Sequence, residues 1–512
     1  MSNKSTHHIQ QRSLIIICGV LFLTFLDNTI VSVTLSSIQS NLSAGVQALQ
    51  WIVDAYMLVF AVFMLSGGTL GDILGRKKVL LSGVALFCIG SVIALAAQSV
   101  DLLIAGRVVM GLGAAASEPG TLSIIRHLYP GKKARSRALG VWTATSGIAL
   151  AFGPILGGII VGFYSWRGVF ILSAVLGVIA LAFGWRFLPE SSDPKGRHLD
   201  IAGLGAGAVA VAACVIGLIS GETAGYHSLW VIGLFILAAV SILAFVIIEQ
   251  HAQDPVLPLQ YFKKIDFSLA NIVATMTNFG IFAVFFFVAL YLQLIASYSG
   301  YKIAIAFLAM TIAIVASALI SGRIVSKYVH WLEAAGCFIA GLGILFVNLV
   351  ISPSVSAAAL AWSLAICGIG FGICLVTMTN TVLGAVPPER SGMAASTVNT
   401  FRELGGVFGV AILGSLVNAQ LTTHLLLQLK TFHLPANFQS FVIYAITHGG
   451  GTPTGVHVSP GILAQHAQLI NQVTQAAYSA FGDGLSMALD IAGSLLLFVG
   501  FISLALQYLL AS

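Results

Sequence analysis

Charge is what this 512-residue chain has least of: Asp, Glu, Lys and Arg together make up 8% of it, against roughly 25% in a soluble globular domain. With a hydrophobic share of 58% and a mean hydropathy of +1.00, that scarcity excludes a soluble protein and requires a polytopic membrane chain. Cysteines are equally sparse. Cys18, Cys88, Cys214, Cys337, Cys367 and Cys374 each sit inside an apolar stretch and none is at ligand spacing, which argues against a disulfide framework or a thiolate metal site. H-E-x-x-H, G-x-S-x-G on a strand, and histidines clustered with carboxylates are all missing, so the chain lacks the marks of a membrane-embedded enzyme. A non-transporting receptor or scaffold would need a sizeable soluble domain or binding tail. Only one long, weakly charged loop is present.

What is present is a series of fourteen apolar stretches, at 14–38, 49–70, 79–97, 102–126, 137–162, 168–188, 201–220, 229–249, 268–295, 303–325, 332–351, 357–381, 403–425 and 487–510. Each is near the ~20 residues that cross a bilayer. The first contains Asp27 and runs to residue 38, unlike a cleaved signal peptide. If the N-terminus is cytoplasmic, 19 of the 23 Lys and Arg residues fall on inner segments, Arg390 and Arg402 among them, leaving Arg107, Arg167, Lys302 and Lys430 elsewhere. Retention of basic residues in the cytoplasm then places both termini on the cytoplasmic side of the cell's inner (cytoplasmic) membrane, and the net charge of +6 becomes a topology signal that calls for no nucleic acid. The longest outer loop, 426–486, carries His433, His448, His457 and His466 among Gly, Pro, Gln and Thr. Their spacing and lack of acidic companions favour a solvated loop over a metal site. The sequence leaves open whether a periplasmic adaptor joins it.

The organisation is repetitive. Residues 1–198 read as a six-helix half, 199–250 as two inserted helices after the linker Pro189–Asp200, and 251–512 as a second six-helix half that includes the outer loop. Ser321–Lys327 faintly echoes Gly68–Lys78 at the matching place in the other half. Repeated halves around a midplane site are how secondary transporters are built.

Charges inside apolar spans mark the chemistry, because an ionisable group in hydrocarbon costs several kcal/mol unless it is paired or hydrated. Asp27 lies about 20 Å up the first span, and Arg107 and Asp54 about 8 Å down the fourth and second, at 1.5 Å per residue. The three therefore share a level near the outer surface, a carboxylate–guanidinium cluster in which a proton or a cation can compete with the arginine. An ion pair that only fixes helix register is the plainer alternative. Glu118 follows Arg107 on the same face about 16 Å deeper, beside Pro119. It is either the lower member of an acidic relay or a side chain snorkelling to the inner headgroups. Asn278 is a polar candidate in the ninth span. In Thr145–Gly158 a lone Pro154 and the glycines Gly147, Gly153, Gly157 and Gly158 predict a kinked helix that another backbone approaches closely.

These residues resemble the major facilitator superfamily, in its fourteen-span drug:proton antiporter type. Leu26–Val33 and Trp51–Tyr56 are similar to that family's first- and second-span signatures. Gly68, Asp72, Gly75, Arg76 and Lys77 match its loop 2–3 gating motif, with Ile73 where a basic residue is usual. Arg107-x-x-x-Gly111-x-Gly113 matches the fourth-span motif, and Gly147–Gly158 the antiporter signature. Trp166-Arg167, Tyr291-Leu-Gln293 and Gly405-Gly406 are lesser likenesses, and Ser326 stands where an acid would complete the echo in the second half.

The resemblance implies an all-α membrane protein of two six-helix bundles plus two inserted helices. It implies proton-driven export of amphipathic, cationic or aromatic small molecules, with no cofactor beyond the proton gradient. Asp27, Arg107 and Glu118 are the candidates for proton coupling. Asp54, Tyr56, Trp142, Asn278, Phe282, Phe286 and Tyr291 are the candidates for the substrate pocket, since planar rings suit hydrophobic cations. Proton–solute symport is the alternative within the same fold, and the Gly153-Pro154 signature argues against it.

Overall fold

Helix after helix accounts for the described residues, because a helix satisfies its backbone N–H and C=O groups within its own segment where the bilayer offers no water. The computed structural model describes residues 3–31, 34–42, 44, 46–192, 200–252, 255, 257, 259–296, 298, 300–352, 355–431 and 467–511. The outer-loop histidines His433, His448, His457 and His466 lie outside the described residues. The helices are α1 (Asn3–Ile30), α2 (Leu35–Leu42), α3 (Val46–Leu74), α4 (Arg76–Leu95), α5 (Val100–Leu128), α6 (Lys132–Phe163) and α7 (Arg167–Phe187). They continue as α8 (Ile201–Ala224), α9 (Leu229–His251), α10 (Ile265–Phe282), α11 (Ala289–Leu294), α12 (Gly300–Val350), α13 (Ala357–Ala385), α14 (Ser391–Thr431) and α15 (Ala467–Ala511). Thirteen stretches among the described residues are long and apolar enough to cross a membrane, and α14 supplies a further helix through 403–425.

Local sequence sets the ends. The Ser99 side chain accepts from the Leu102 amide at 3.3 Å to cap α5, whose first turn carries Asp101 and whose last carries Arg126 and His127, matching the helix dipole. Asp200 caps α8 through the Gly203 amide at 2.8 Å, and Ser356 caps α13 through Ala359 at 3.1 Å. Gly75 breaks α3 from α4 at φ +112, a conformation that strains any residue with a Cβ. There the Glu190 Oε1 atom accepts from the Lys77 amide at 3.0 Å and covers the start of α4.

Several expectations are corrected. The first span breaks after Ile30, and 35–42 forms the separate α2. The expected loop between the tenth and eleventh spans is a kink at Tyr328 (φ −130, ψ 33) inside one long α12. Part of the expected outer loop 426–486 is helical, since α14 continues to Thr431 and α15 begins at Ala467. Polar Gln, Thr and Asn residues at both ends end the apolar stretches without ending the helices. Span nine contains a π-helical turn, Ala283–Val288, between α10 and α11, a local widening frequent at functional sites.

The helices pack in two groups. α1 lies against α5, α6 and α7, while α4 packs on α5 and α7. In the second group α12 packs on α13 and α15, and α10 on α13, α14 and α15. The groups meet along α6 with α12 and along α3 and α5 with α14, and α8 touches both α3 and α14. Glycines permit the closest approaches. A Cβ on Gly140 would stand 2.7 Å from the Ala318 carbonyl oxygen and one on Gly322 2.6 Å from that of Ser136, so α6 and α12 are in backbone contact.

Those glycines revise the reading of the antiporter signature. Gly147 does face the second group, 3.0 Å from the Ile314 side chain for an added Cβ. Gly153 instead abuts α1 of its own group, where a Cβ would overlap the Thr29 hydroxyl and lie 2.9 Å from the Ile30 amide. Gly158 has nothing within 4 Å and makes no close approach. The faces differ: Gly140 and Gly147 point at α12, whereas Gly153 points at α1.

Candidate functional site

Arg107 is held on α5 with its guanidinium completely enclosed. Its Nη1 donates to Asp27 Oδ2, its Nε donates to the Ile52 carbonyl at 2.9 Å, and its plane lies 4.4 Å from the Tyr56 ring centroid. Asp27 is 0% and Arg107 1% exposed. Gly111, one turn after Arg107, lets α3 come close: an added Cβ would be 2.7 Å from the Tyr56 carbonyl oxygen. Tyr56 is fixed by donating its hydroxyl to Thr24 O at 3.3 Å and by stacking on Phe60 at 5.7 Å. Asp27 Oδ1 is buried without a hydrogen-bond partner among the described residues, leaving one acceptor open on the carboxylate. Asp54 is half-buried on the helix that carries Ile52.

A second ionic group joins the two halves. Glu118 is 0% exposed, which rules out snorkelling to headgroups, and its Oε1 accepts from Arg402 Nη2 of α14 at 2.5 Å. Arg402 also reaches Glu403 Oε1 at 3.4 Å and lies 5.1 Å and 5.7 Å from the ring centroids of Phe25 and Trp142. Trp142 is anchored by donating to Thr121 Oγ1 at 3.0 Å. Glu118 Oε2 and Arg402 Nε are buried without partners among the described residues. Two carboxylates thus share one guanidinium, all in a low-dielectric setting where each charge counts heavily.

Arg402 and Glu403 were not legible as site residues, and Arg402 is corrected here from an inner-loop charge to a buried one. A signal existed. Pro387-Pro388 permits a helix start just before Ser391, and eleven residues of helix carry Arg402 about 16 Å inward. Glu333 is a further buried acid, 1% exposed, accepting from Thr381 Oγ1 at 3.3 Å.

The remaining pocket candidates all lie along span nine and differ in exposure. Asn278 and Tyr291 are buried, and Phe282 packs against Gly406, whose added Cβ would be 2.9 Å from the ring. Phe286 is 49% exposed and meets Phe287 edge-on.

The loop 2–3 motif forms an interlock between the halves. Asp72 accepts from Arg76 Nε at 3.0 Å and Nη2 at 2.9 Å, and from the Gly392 and Met393 amides of α14 at 3.1 Å each. It therefore caps the N-terminus of a helix in the opposite group. Arg76 Nη2 reaches the Pro388 and Glu389 carbonyls at 3.2 and 3.4 Å, and Ser136 donates to Asn380 at 2.8 Å. Gly68 touches the Gly392 backbone, which excludes any side chain there. At this end the halves are closed on each other.

Comparison with known proteins agrees with this architecture. Residues 17–410 match the family model of the Major Facilitator Superfamily, and the chain belongs to that superfamily of membrane transporters. It is 33% identical over 475 residues to the multidrug resistance protein Stp of Mycobacterium tuberculosis (strain CDC 1551 / Oshkosh), covering 92% of this chain and 87% of that one. It is 30% identical over 414 residues to the methylenomycin A resistance protein of Bacillus subtilis (strain 168), covering 80% and 88%. Among solved structures it is similar to the human organic anion transporter MFSD10 (TETRAN), with a TM-score of 0.61 at 12% identity over 95% of this chain and 99% of that one, a likeness of fold.

Proposed function

We propose that this transporter is a proton-coupled antiporter that exports amphipathic, cationic or aromatic toxic compounds from the cytoplasm. The observation that carries the reading is the charge count of the buried cluster at the junction of the halves. Glu118 and Glu403 face a single Arg402, so with all three ionised the group holds one excess negative charge in an apolar setting. Such a site takes up either a proton or a cationic substrate, and taking one favours release of the other. Asp27 and Arg107 form a separate neutral pair about 16 Å from it along α5, and protonation of Asp27 frees Arg107 to shift. Relatives named for resistance to drugs and to methylenomycin A support the substrate class. The closed end carries the basic motif, and it is assigned to the cytoplasm. The structure is then the outward-directed arm of an alternating-access cycle.

The test is transport by the purified protein in proteoliposomes. An imposed pH step should drive a fluorescent lipophilic cation against its gradient in the direction opposite to the protons. Asp27→Asn and Glu118→Gln should each abolish the pH-driven step while reconstituting normally. Wild-type transport in both variants, or movement of the dye in the direction of the protons, would sink the proposal.

A further inference from the structure

Two arginines at the closed end take part in neither ionic group. Arg126 ends α5 and Arg135 begins α6, and both are buried, at 7% and 8% exposure. Arg126 Nη2 donates to the Val386 carbonyl, just past α13, at 2.5 Å. Its Nε and Nη1 have no acceptor among the described residues, and neither does Arg135 Nε. The other charges acting on Arg126 are Arg135 itself, Arg76 and Glu389. Arg76 is already committed to Asp72, and Glu389 is an exposed side chain. A buried guanidinium is disfavoured unless its donors are paired; the acid acting on Arg126 is that exposed Glu389, while Nε and Nη1 stay without acceptors among the described residues and Arg135 adds a second positive charge. A tetrahedral oxyanion satisfies such a pair, since the planar fork of arginine matches phosphate geometry with two parallel hydrogen bonds.

We propose that Arg126 and Arg135 form a binding site for a phosphate oxyanion at the α5–α6 turn. The level suits a lipid headgroup, because both residues stand at helix ends where a spanning segment leaves the hydrocarbon. A free phosphate offers the same chemistry. Arg126 also grips Val386 of the opposite half, so an occupied site favours the closed arrangement at this end.

Binding, and not transport, is the readout, which keeps the site independent of the antiport reading. The full-length protein in a neutral detergent is titrated separately with phosphatidylglycerol, phosphatidylcholine and inorganic phosphate, and its thermal midpoint is followed by tryptophan fluorescence. Phosphatidylglycerol should raise the midpoint and phosphatidylcholine should not. A rise with inorganic phosphate as well identifies the phosphate group alone as sufficient, and a rise with phosphatidylglycerol only assigns the site to lipid. A rise with inorganic phosphate only assigns it to a soluble anion. The double variant Arg126→Gln/Arg135→Gln should weaken the response about tenfold, while Lys132→Gln/Lys133→Gln, exposed neighbours on the same turn, should keep it. If the glutamine pair does not fold, Arg126→Lys/Arg135→Lys retains charge without the fork and should weaken binding in the same way. No response to either phosphate compound, an equal response to phosphatidylcholine, or an undiminished response in the arginine variants would overturn the site.

Discussion

Asp72→Asn is the substitution whose effect follows most directly from the coordinates. The carboxylate receives four hydrogen bonds, two from Arg76 in its own half and two from the Gly392 and Met393 amides across the junction. Only the second pair exists solely while this end is closed. Asparagine is nearly isosteric but presents one carbonyl and no charge, so one cross-junction bond disappears and the other loses its ionic part along with the favourable helix-dipole term. With bonds to a charged group worth about 1.5–3 kcal/mol each and the dipole about 0.5 kcal/mol, the closed arrangement loses about 3 kcal/mol. That is a shift of roughly 100-fold in the closed-to-open ratio. Spin labels on exposed Lys133 and Lys263, one in each half at this end, read that ratio as a distance distribution. Asp72→Asn should move most of the population to longer distances, and Asp72→Glu should restore part of it. A distribution unchanged from the wild type would refute the argument that the cross-junction cap holds this end shut.

The helix α6 glycines divide into sites that tolerate bulk and sites that do not. Gly153→Leu should cost several kcal/mol of stability through its collision with Thr29 and Ile30, whereas Gly158→Leu, with open space around it, should leave yield and melting temperature near wild type. Gly140→Val should leave the protein folded but keep the halves apart at the α6–α12 contact, seen as raised accessibility of a cysteine placed at Ser136 to a water-soluble maleimide. Reporter fusions after Lys78, Lys133 and Arg197 should report cytoplasm and one at His448 the outside; a cytoplasmic signal at His448 would undo the fourteen-span count.

The architecture was legible because hydropathy and basic-residue placement are strong one-dimensional signals. Asp27 and Arg107 were also reachable, since helix rise alone puts them at one depth and they meet 80 residues apart in sequence. Glu118 could be placed on the face of Arg107, yet its partner lies 284 residues away. Arg402 stands at the edge of an apolar stretch, and there a hydropathy count assigns any arginine to the loop. The direction faced by each glycine of α6 was not legible either. Spacing identifies a small-residue stripe, but whether Gly153 meets α1 or the opposite half depends on which helix its face is turned toward, which no local pattern encodes.

The position of α8 makes the two flanks of the molecule unequal. It runs beside the line where α3 meets α14, while α9 outside it turns Leu229, Trp230, Ile236, Val240, Leu243 and Ile247 outward. A compound dissolved in the bilayer that drifts toward this flank meets the inserted pair before it meets the seam. A relative motion of α3 and α14 would have to slide past α8 or carry it along, because α8 touches both. This seam is thereby flanked by two helices that contribute no charged residue to either ionic cluster.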